Sequence, residues 1–240
     1  MNQNPQKINY HLACEKEIKR NEGRLPRLLL HSCCAPCSSS VLEYLSSHFD
    51  ITLFYYNPNI TPAEEYYKRV TELHRLVSEA CYPNPATIRE GRYDSGEFFE
   101  IARGLEDLPE GGERCFRCYR LRLEESAKAA AEGGFEYFTT TLSVSPYKNA
   151  GKLNAIGMEL AEQYGVKYLP SDFKKKNGYR RSIELSAQHG LYRQNYCGCV
   201  FSKVRICGCA ITRNVCGSGF KNVKKGARYE TKNIYNYPYV

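Results

Sequence analysis

An α/β fold, with a parallel sheet of about five strands and helices on both faces, is what this sequence predicts. Five short apolar or β-rich runs recur between residues 27 and 169, and stretches with helical periodicity separate them. The connections are too long for hairpins and long enough for crossover helices, so successive strands run parallel.

The elements follow in order. Residues 27–31 are a short apolar strand, followed by a turn at Pro36 and a serine cluster that can cap a helix over 41–48. Residues 51–56 read as a second strand, closed by Asn57, Pro58 and Asn59. Pro62 opens a long amphipathic helix to about residue 80, with apolar positions at Val70, Leu73, Leu76 and Val77. Residues 86–89 form a weaker strand and 97–105 a short helix. A helix over 114–132 stops at Gly133 and Gly134. Residues 137–142 are β-rich, 152–164 helical, 166–169 a last strand, and 180–189 a helix stopped by Gly190. By domain, 1–26 reads as an N-terminal extension, 27–202 as the folded unit and 203–240 as a basic tail.

Open parallel sheets bind ligands beyond the carboxyl ends of their strands. The loop after the first strand runs from His31 to Ser40 and carries Cys33, Cys34 and Cys37 with no glycine. A phosphate cradle at this position would be glycine-rich, so the loop points to a metal. Cys115 and Cys118 stand at i and i+3 at a helix start, where both thiols face one way and the helix dipole favours thiolates. Cys197 and Cys199 are separated by one glycine just past the last helix, whereas Cys14 and Cys81 are isolated. An adjacent pair plus a CxxC supplies four thiolates, enough for tetrahedral zinc or for an iron-sulfur cluster. The adjacency of Cys33 and Cys34 suits the wider cluster better than a single ion, and Cys197 with Cys199 then reads as a redox dithiol or as ligands to another metal.

Composition narrows the class further. Twelve cysteines in 240 residues are too many to be incidental, and there is no tryptophan. No stretch approaches the roughly 20 apolar residues of a membrane span, and residues 1–22 are polar and charged, unlike a secretory signal. The expected place is the cytosol, without a membrane partner, where dense cysteine means metal or redox chemistry before structural disulfides. Residues 203–240 hold eight Lys and Arg against Glu230, which is +7 of the chain's net +8.

Five blocks carry a family resemblance. They are His31 to Cys37, Tyr55 to Ile60, Cys115 to Leu121, Phe138 to Pro146 with Lys148 and Asn149, and Tyr192 to Ser202. In this order they resemble the QueH-type epoxyqueuosine reductases, which reduce the epoxide of epoxyqueuosine in tRNA to queuosine without cobalamin. The resemblance implies a Rossmann-like, adenine nucleotide alpha hydrolase-like sheet. It implies a [4Fe-4S] cluster on Cys33, Cys34, Cys115 and Cys118, and a redox-active pair, able to close as a disulfide, at Cys197 and Cys199. The family also holds an extra iron, for which Cys37, Cys197 and Cys199 are the ligands left over, in competition with the disulfide. Partners implied are a tRNA with a GUN anticodon carrying epoxyqueuosine, and an electron donor.

Removing the epoxide oxygen as water takes two electrons and two protons, so a second redox element beside a one-electron cluster is expected. An iron could also act as a Lewis acid on the epoxide oxygen. Candidate proton donors are His31, Tyr196 and Tyr192. Lys148 and Asn149, together with Lys175 and Arg180 in the basic run from Lys174 to Arg181, are candidates for contact with the nucleoside and its phosphates, as cations and aromatics serve single-stranded RNA. The tail after Ser202, with Cys207, Cys209 and Cys216, departs from the family pattern and reads as a mobile basic arm that adds RNA affinity by counterion release. Rival classes are a zinc-stabilised RNA-binding module without catalysis, and a sulfur-transfer or ATP-dependent tRNA enzyme, against which the glycine-free first loop argues.

Overall fold

The structure is a computed structural model and describes residues 8–202. Its elements run α1 Tyr10–Arg20, β1 Arg27–His31, α2 Ala35–Leu45, β2 Asp50–Tyr55, α3 Ala63–Glu79, β3 Thr87–Glu90, α4 Ser95–Ala102, α5 Glu113–Glu132, β4 Tyr137–Thr140, α6 Ala150–Tyr164, β5 Lys167–Tyr168 and α7 Gly178–Gln188. All four strand pairings are parallel, in the order β3-β2-β1-β4-β5. The chain builds outward from β1 to β3 and then crosses to β4 and β5 on the other side, so the order reverses between β1 and β4. That reversal opens a crevice at the carboxyl ends of β1 and β4.

Strand alternation sorts the core into two layers. Leu28 and Leu30 of β1 join Val41, Leu42 and Leu45 of α2 and Leu73 and Leu76 of α3 on one face. Leu29 points the other way, to Leu123, Ala127 and Ala130 of α5 and Leu153, Ile156 and Leu160 of α6. Leu28, Leu29 and Leu30 are completely buried, each worth about 1.5–3 kcal/mol by transfer from water. A strand apolar on both faces is what a sheet covered on both sides requires. The five parallel strands and two helical layers agree with the sequence prediction.

Three elements differ from it. Helix α2 starts at Ala35, with Cys34 at the N-cap and Pro36 in its first turn, not at residue 41. The serines thus lie inside the helix: the hydroxyls of Ser38 and Ser39 donate back to the carbonyls of Cys34 and Pro36 at 2.9 Å, removing the polarity that made them look like a loop. Strand β4 ends at Thr140, and Thr141–Val144 is a 3-10 turn capped by the Thr140 hydroxyl. Residues 10–20 form a helix capped by Asn9, whose Cys14 joins the core while His11 is also buried. Its apolar stripe, at 11, 14 and 18, is too narrow to stand out among its charges. The expected mobile tail at 203–240 and its three cysteines lie outside the described residues, as do residues 1–7. Among the described residues no helix is long and apolar enough to cross a membrane.

Candidate metal and redox site

The early start of α2 sets the first thiols. Cys33 and Cys34 leave the end of β1, and Cys37 lies three residues on, in the first helical turn. The three sulfurs lie within 4.8 Å of one another, and Cys33 Sγ is 3.8 Å from Cys34 Sγ. Hydrogen bonds from Cys33 and Cys37 hold the Cys34 thiol well below its ordinary pKa, against burial and with help from Arg69, while Cys37 is pushed well above it. One negative sulfur cradled by two thiols at the positive end of a helix is a soft, anionic donor set. The neighbouring β4 turn completes the cradle, since Thr141 Oγ1 accepts from the Cys33 backbone N–H at 3.3 Å and lies 3.5 Å from Cys33 Sγ.

Beneath the sulfurs a buried polar floor ties the strand ends together. His31 Nδ1 lies 2.8 Å from Thr140 Oγ1 and Nε2 lies 3.1 Å from the Tyr56 carbonyl. Burial, with the Arg122 charge, lowers the His31 pKa to about 3, so the ring is neutral. Nε2 also faces the Arg122 Nε–H at 3.4 Å, so it either donates to the Tyr56 carbonyl or accepts from Arg122, according to the ring tautomer. Asn57 donates to the Ser32 carbonyl at 2.9 Å and accepts from Arg122 Nη2 at 2.7 Å.

Helix α5 brings the second pair. Cys115 Sγ accepts from the Gly111 N–H at 3.3 Å in the first turn, and buried Cys118, its thiol pushed up to about 11 by desolvation, lies 3.9 Å from Arg122 Nη1. These two sulfurs are outside the 4.8 Å group, although Arg122 feels both Cys33 and Cys118. The third source is the loop after α7. It docks through the Gly198 carbonyl, which accepts from Thr61 N–H at 3.0 Å, and through the Cys197 carbonyl, which accepts from Arg69 Nη1 at 3.2 Å. Lys148 Nζ lies 3.3 Å from Cys197 Sγ and 3.0 Å from Glu110 Oε1. The Cys197 thiol is held well below its usual pKa by its hydrogen bond with Cys199, then by Lys148 and Arg122, against burial; Cys199 is raised in turn. Burial opposes the charge on Lys148, but Cys197, Tyr119 and Glu110 outweigh it and raise its pKa.

Cys33, Cys37 and Cys197 line one cavity of about 340 Å³, together with Arg69, Glu110, Arg122, Lys148 and Tyr196. Its volume falls at the small end of the roughly 300–1,000 Å³ that hold small ligands. At the mouth Tyr147 is 76% exposed. Not every predicted residue reaches this cavity. Tyr192 instead donates to the Glu65 carboxylate at 3.1 Å under a Lys68 ammonium, and Asn149 caps α6 by accepting from Lys152 N–H at 3.0 Å. Exposed Arg180 pairs with Glu184 at 3.0 Å, and exposed Lys175 lines a separate concavity beside Lys148, Asn149 and Lys174. Sequence reasoning missed Arg69, Glu110 and Arg122. Only Arg122 left a trace, at i+4 from Cys118 and so on the same helix face.

Thiols fit soft or borderline metals, zinc and iron above magnesium or calcium, so the donors present suit a metal centre. A doubly wound sheet whose switch-point crevice is lined by cysteines where a phosphate cradle would stand defines an α/β protein with a cysteine group that could hold a metal. The chain belongs to the QueH family: the family model described as epoxyqueuosine reductase QueH matches residues 28–205. It is similar to the epoxyqueuosine reductase QueH of Streptococcus pyogenes serotype M1, 45% identical over 206 residues, covering 84% of this chain and 81% of the relative. The Staphylococcus epidermidis protein of that name is 42% identical over 229 residues, covering 93% and 92%. The one from Thermotoga maritima is 38% identical over 178 residues, covering 73% and 89%. A match over 93% of the chain exceeds the residues that precede the tail, so it runs past Ser202. The staphylococcal relative therefore shares part of the segment that sequence reasoning sets apart from the family.

Proposed function

We propose that this chain is an epoxyqueuosine reductase that converts the epoxide of epoxyqueuosine at the tRNA wobble position to the alkene of queuosine, independently of cobalamin and in the cytoplasm. The observation that carries the reading, beside family membership, is that one cavity is lined both by sulfurs of the β1 loop and by Cys197 of the CxC loop. Cys33, Cys34, Cys115 and Cys118 would hold a [4Fe-4S] cluster. Such a cluster supplies single electrons at a potential tuned by its surroundings.

The remaining chemistry belongs to the chain's own groups. Converting an epoxide to an alkene and water consumes two electrons and two protons, and oxidising the dithiol Cys197–Cys199 to a disulfide releases two of each, so the two half-reactions balance. Lys148 holds Cys197 as the thiolate, the form that reacts. Tyr196 lines the cavity and is the better placed of the candidate proton donors. His31, neutral and engaged at both nitrogens, positions the strand ends. Tyr147, at the mouth, offers a face for a neighbouring unpaired base. An external reductant resets the disulfide. Binding of an extra iron by Cys37, Cys197 and Cys199 would exclude the disulfide while it lasts.

One observation favours a different centre. A sulfur separation of 3.8 Å between Cys33 and Cys34 is the edge of a tetrahedron with bonds of about 2.3 Å, as in zinc thiolate sites. Anaerobic purification, metal analysis and an assay on epoxyqueuosine-containing tRNA separate the two. The expected result is a brown protein with about four irons per chain that makes queuosine. Cys199→Ser should retain the iron and lose at least tenfold in turnover. A colourless zinc protein that leaves the epoxide intact would overturn the reading.

A further inference from the structure

We propose that Arg122 is the internal counter-charge of the thiolate centre and sets its reduction potential. The proposal rests on the reading above, that these cysteines hold a redox-active iron centre. Arg122 lies one turn beyond Cys118 on α5, is 1% exposed and lines the cavity. Its Nη1 is 3.9 Å from Cys118 Sγ, its Nη2 donates to Asn57 Oδ1 at 2.7 Å, and its Nε is 3.4 Å from His31 Nε2.

Among the described residues three buried cations line the cavity, and two have carboxylate partners: Arg69 pairs with Glu65 at 2.7 Å and Lys148 with Glu110 at 3.0 Å. Arg122 pairs with no carboxylate within 4.0 Å among the described residues, and the groups that hold its other nitrogens are the Asn57 amide and the His31 imidazole. A guanidinium does not give up its proton in a protein, and a buried charge without a counter-charge is strongly unfavourable. The groups that face it in place of a carboxylate are sulfurs, with Cys118 Sγ at 3.9 Å and Cys33 and Cys197 also acting on it, and ligation to a metal would hold Cys118 and Cys33 as thiolates. The centre, when it gains an electron, becomes more negative by one unit beside a fixed positive charge. Arg122 therefore favours the reduced form and raises the potential. Arg122 is a positioning residue in this role, because it acts through the centre and need not touch substrate.

A purely structural Arg122 would staple α5 to the β2 loop through Asn57 and leave the potential unchanged. The discriminating measurement is an anaerobic dithionite titration of the full chain, with dithionite as the one-electron donor and iron content determined on the same samples. Arg122→Gln should keep its iron and shift the midpoint downward by a tenfold or larger change in the reduction equilibrium, about 59 mV for one electron, with Arg122→Lys staying nearer the parent. An Arg122→Gln midpoint equal to the parent's overturns the proposal. Should that variant fail to fold, Arg122→Met is titrated in its place: a lowered midpoint supports the role and an unchanged one rejects it. A parent chain with no redox-active iron overturns the metal reading, and this inference with it.

Discussion

A methyl group at position 198 would stand 2.9 Å from Ile60 Cγ1 and 3.0 Å from Arg69 Nη1, on a backbone whose φ is +108°. Only glycine takes that conformation without strain, and its carbonyl is the one that fastens the CxC loop to Thr61. Gly198→Ala should cost about 1–3 kcal/mol of local strain and lift Cys197 away from Lys148. The expected outcome is at least tenfold lower kcat/KM with a small change in melting temperature, checked by steady-state kinetics and a thermal melt. The glycine between the two cysteines is visible in the sequence, but its reason is not, because Ile60 and Arg69 are more than 125 residues away. The same distance hides the cations. Each cysteine motif is local and can be read from spacing, whereas Arg69 and Lys148, which lower the pKa of Cys34 and Cys197, come from other elements.

Helix α5 links the site to the core. Its first turns carry Cys115 and Cys118, its middle carries Arg122, and its next turns bury Leu123, Ala127 and Ala130 against β1 and β4. Leu123 is fully buried, so Leu123→Ala should destabilise the fold by about 2–5 kcal/mol. The check is urea denaturation, where the midpoint falls with an unchanged slope. Long elements with plain periodicity, α3 and α5 among them, are legible in the sequence to within a residue or two. Helix α2 is not, because Ser38, Ser39 and Ser40 sit buried where loop serines would be exposed, and the first two satisfy their hydroxyls on the preceding turn. Moving the start of α2 back by six residues changes the chemistry: Cys37 becomes part of a rigid first turn held against Cys34, in place of the loop that spacing alone suggests.

At the scale of the molecule, charge and chemistry are separated. Residues 203–240 hold nearly all the excess positive charge, while the folded unit that carries the cavity is close to neutral. Deleting 203–240 should leave iron content unchanged, weaken tRNA binding and flatten its dependence on salt, by about 0.7 in logarithmic slope for each phosphate of single-stranded RNA that is no longer neutralised. A filter-binding titration at several salt concentrations measures this, and loss of iron would instead place ligands among the tail cysteines. The sheet has a further consequence, through the three places from which it gathers thiols: the β1 loop, the start of α5 and the CxC loop lie roughly 80 residues apart along the chain. A group gripped by all three would close two loops of that length, and each such closure restricts the unfolded chain by about 4 kcal/mol, as a disulfide does. The centre is then also a fastener. Oxygen damage to it would loosen the protein as a whole, so the history of a preparation would be written in its resistance to proteases as well as in its colour.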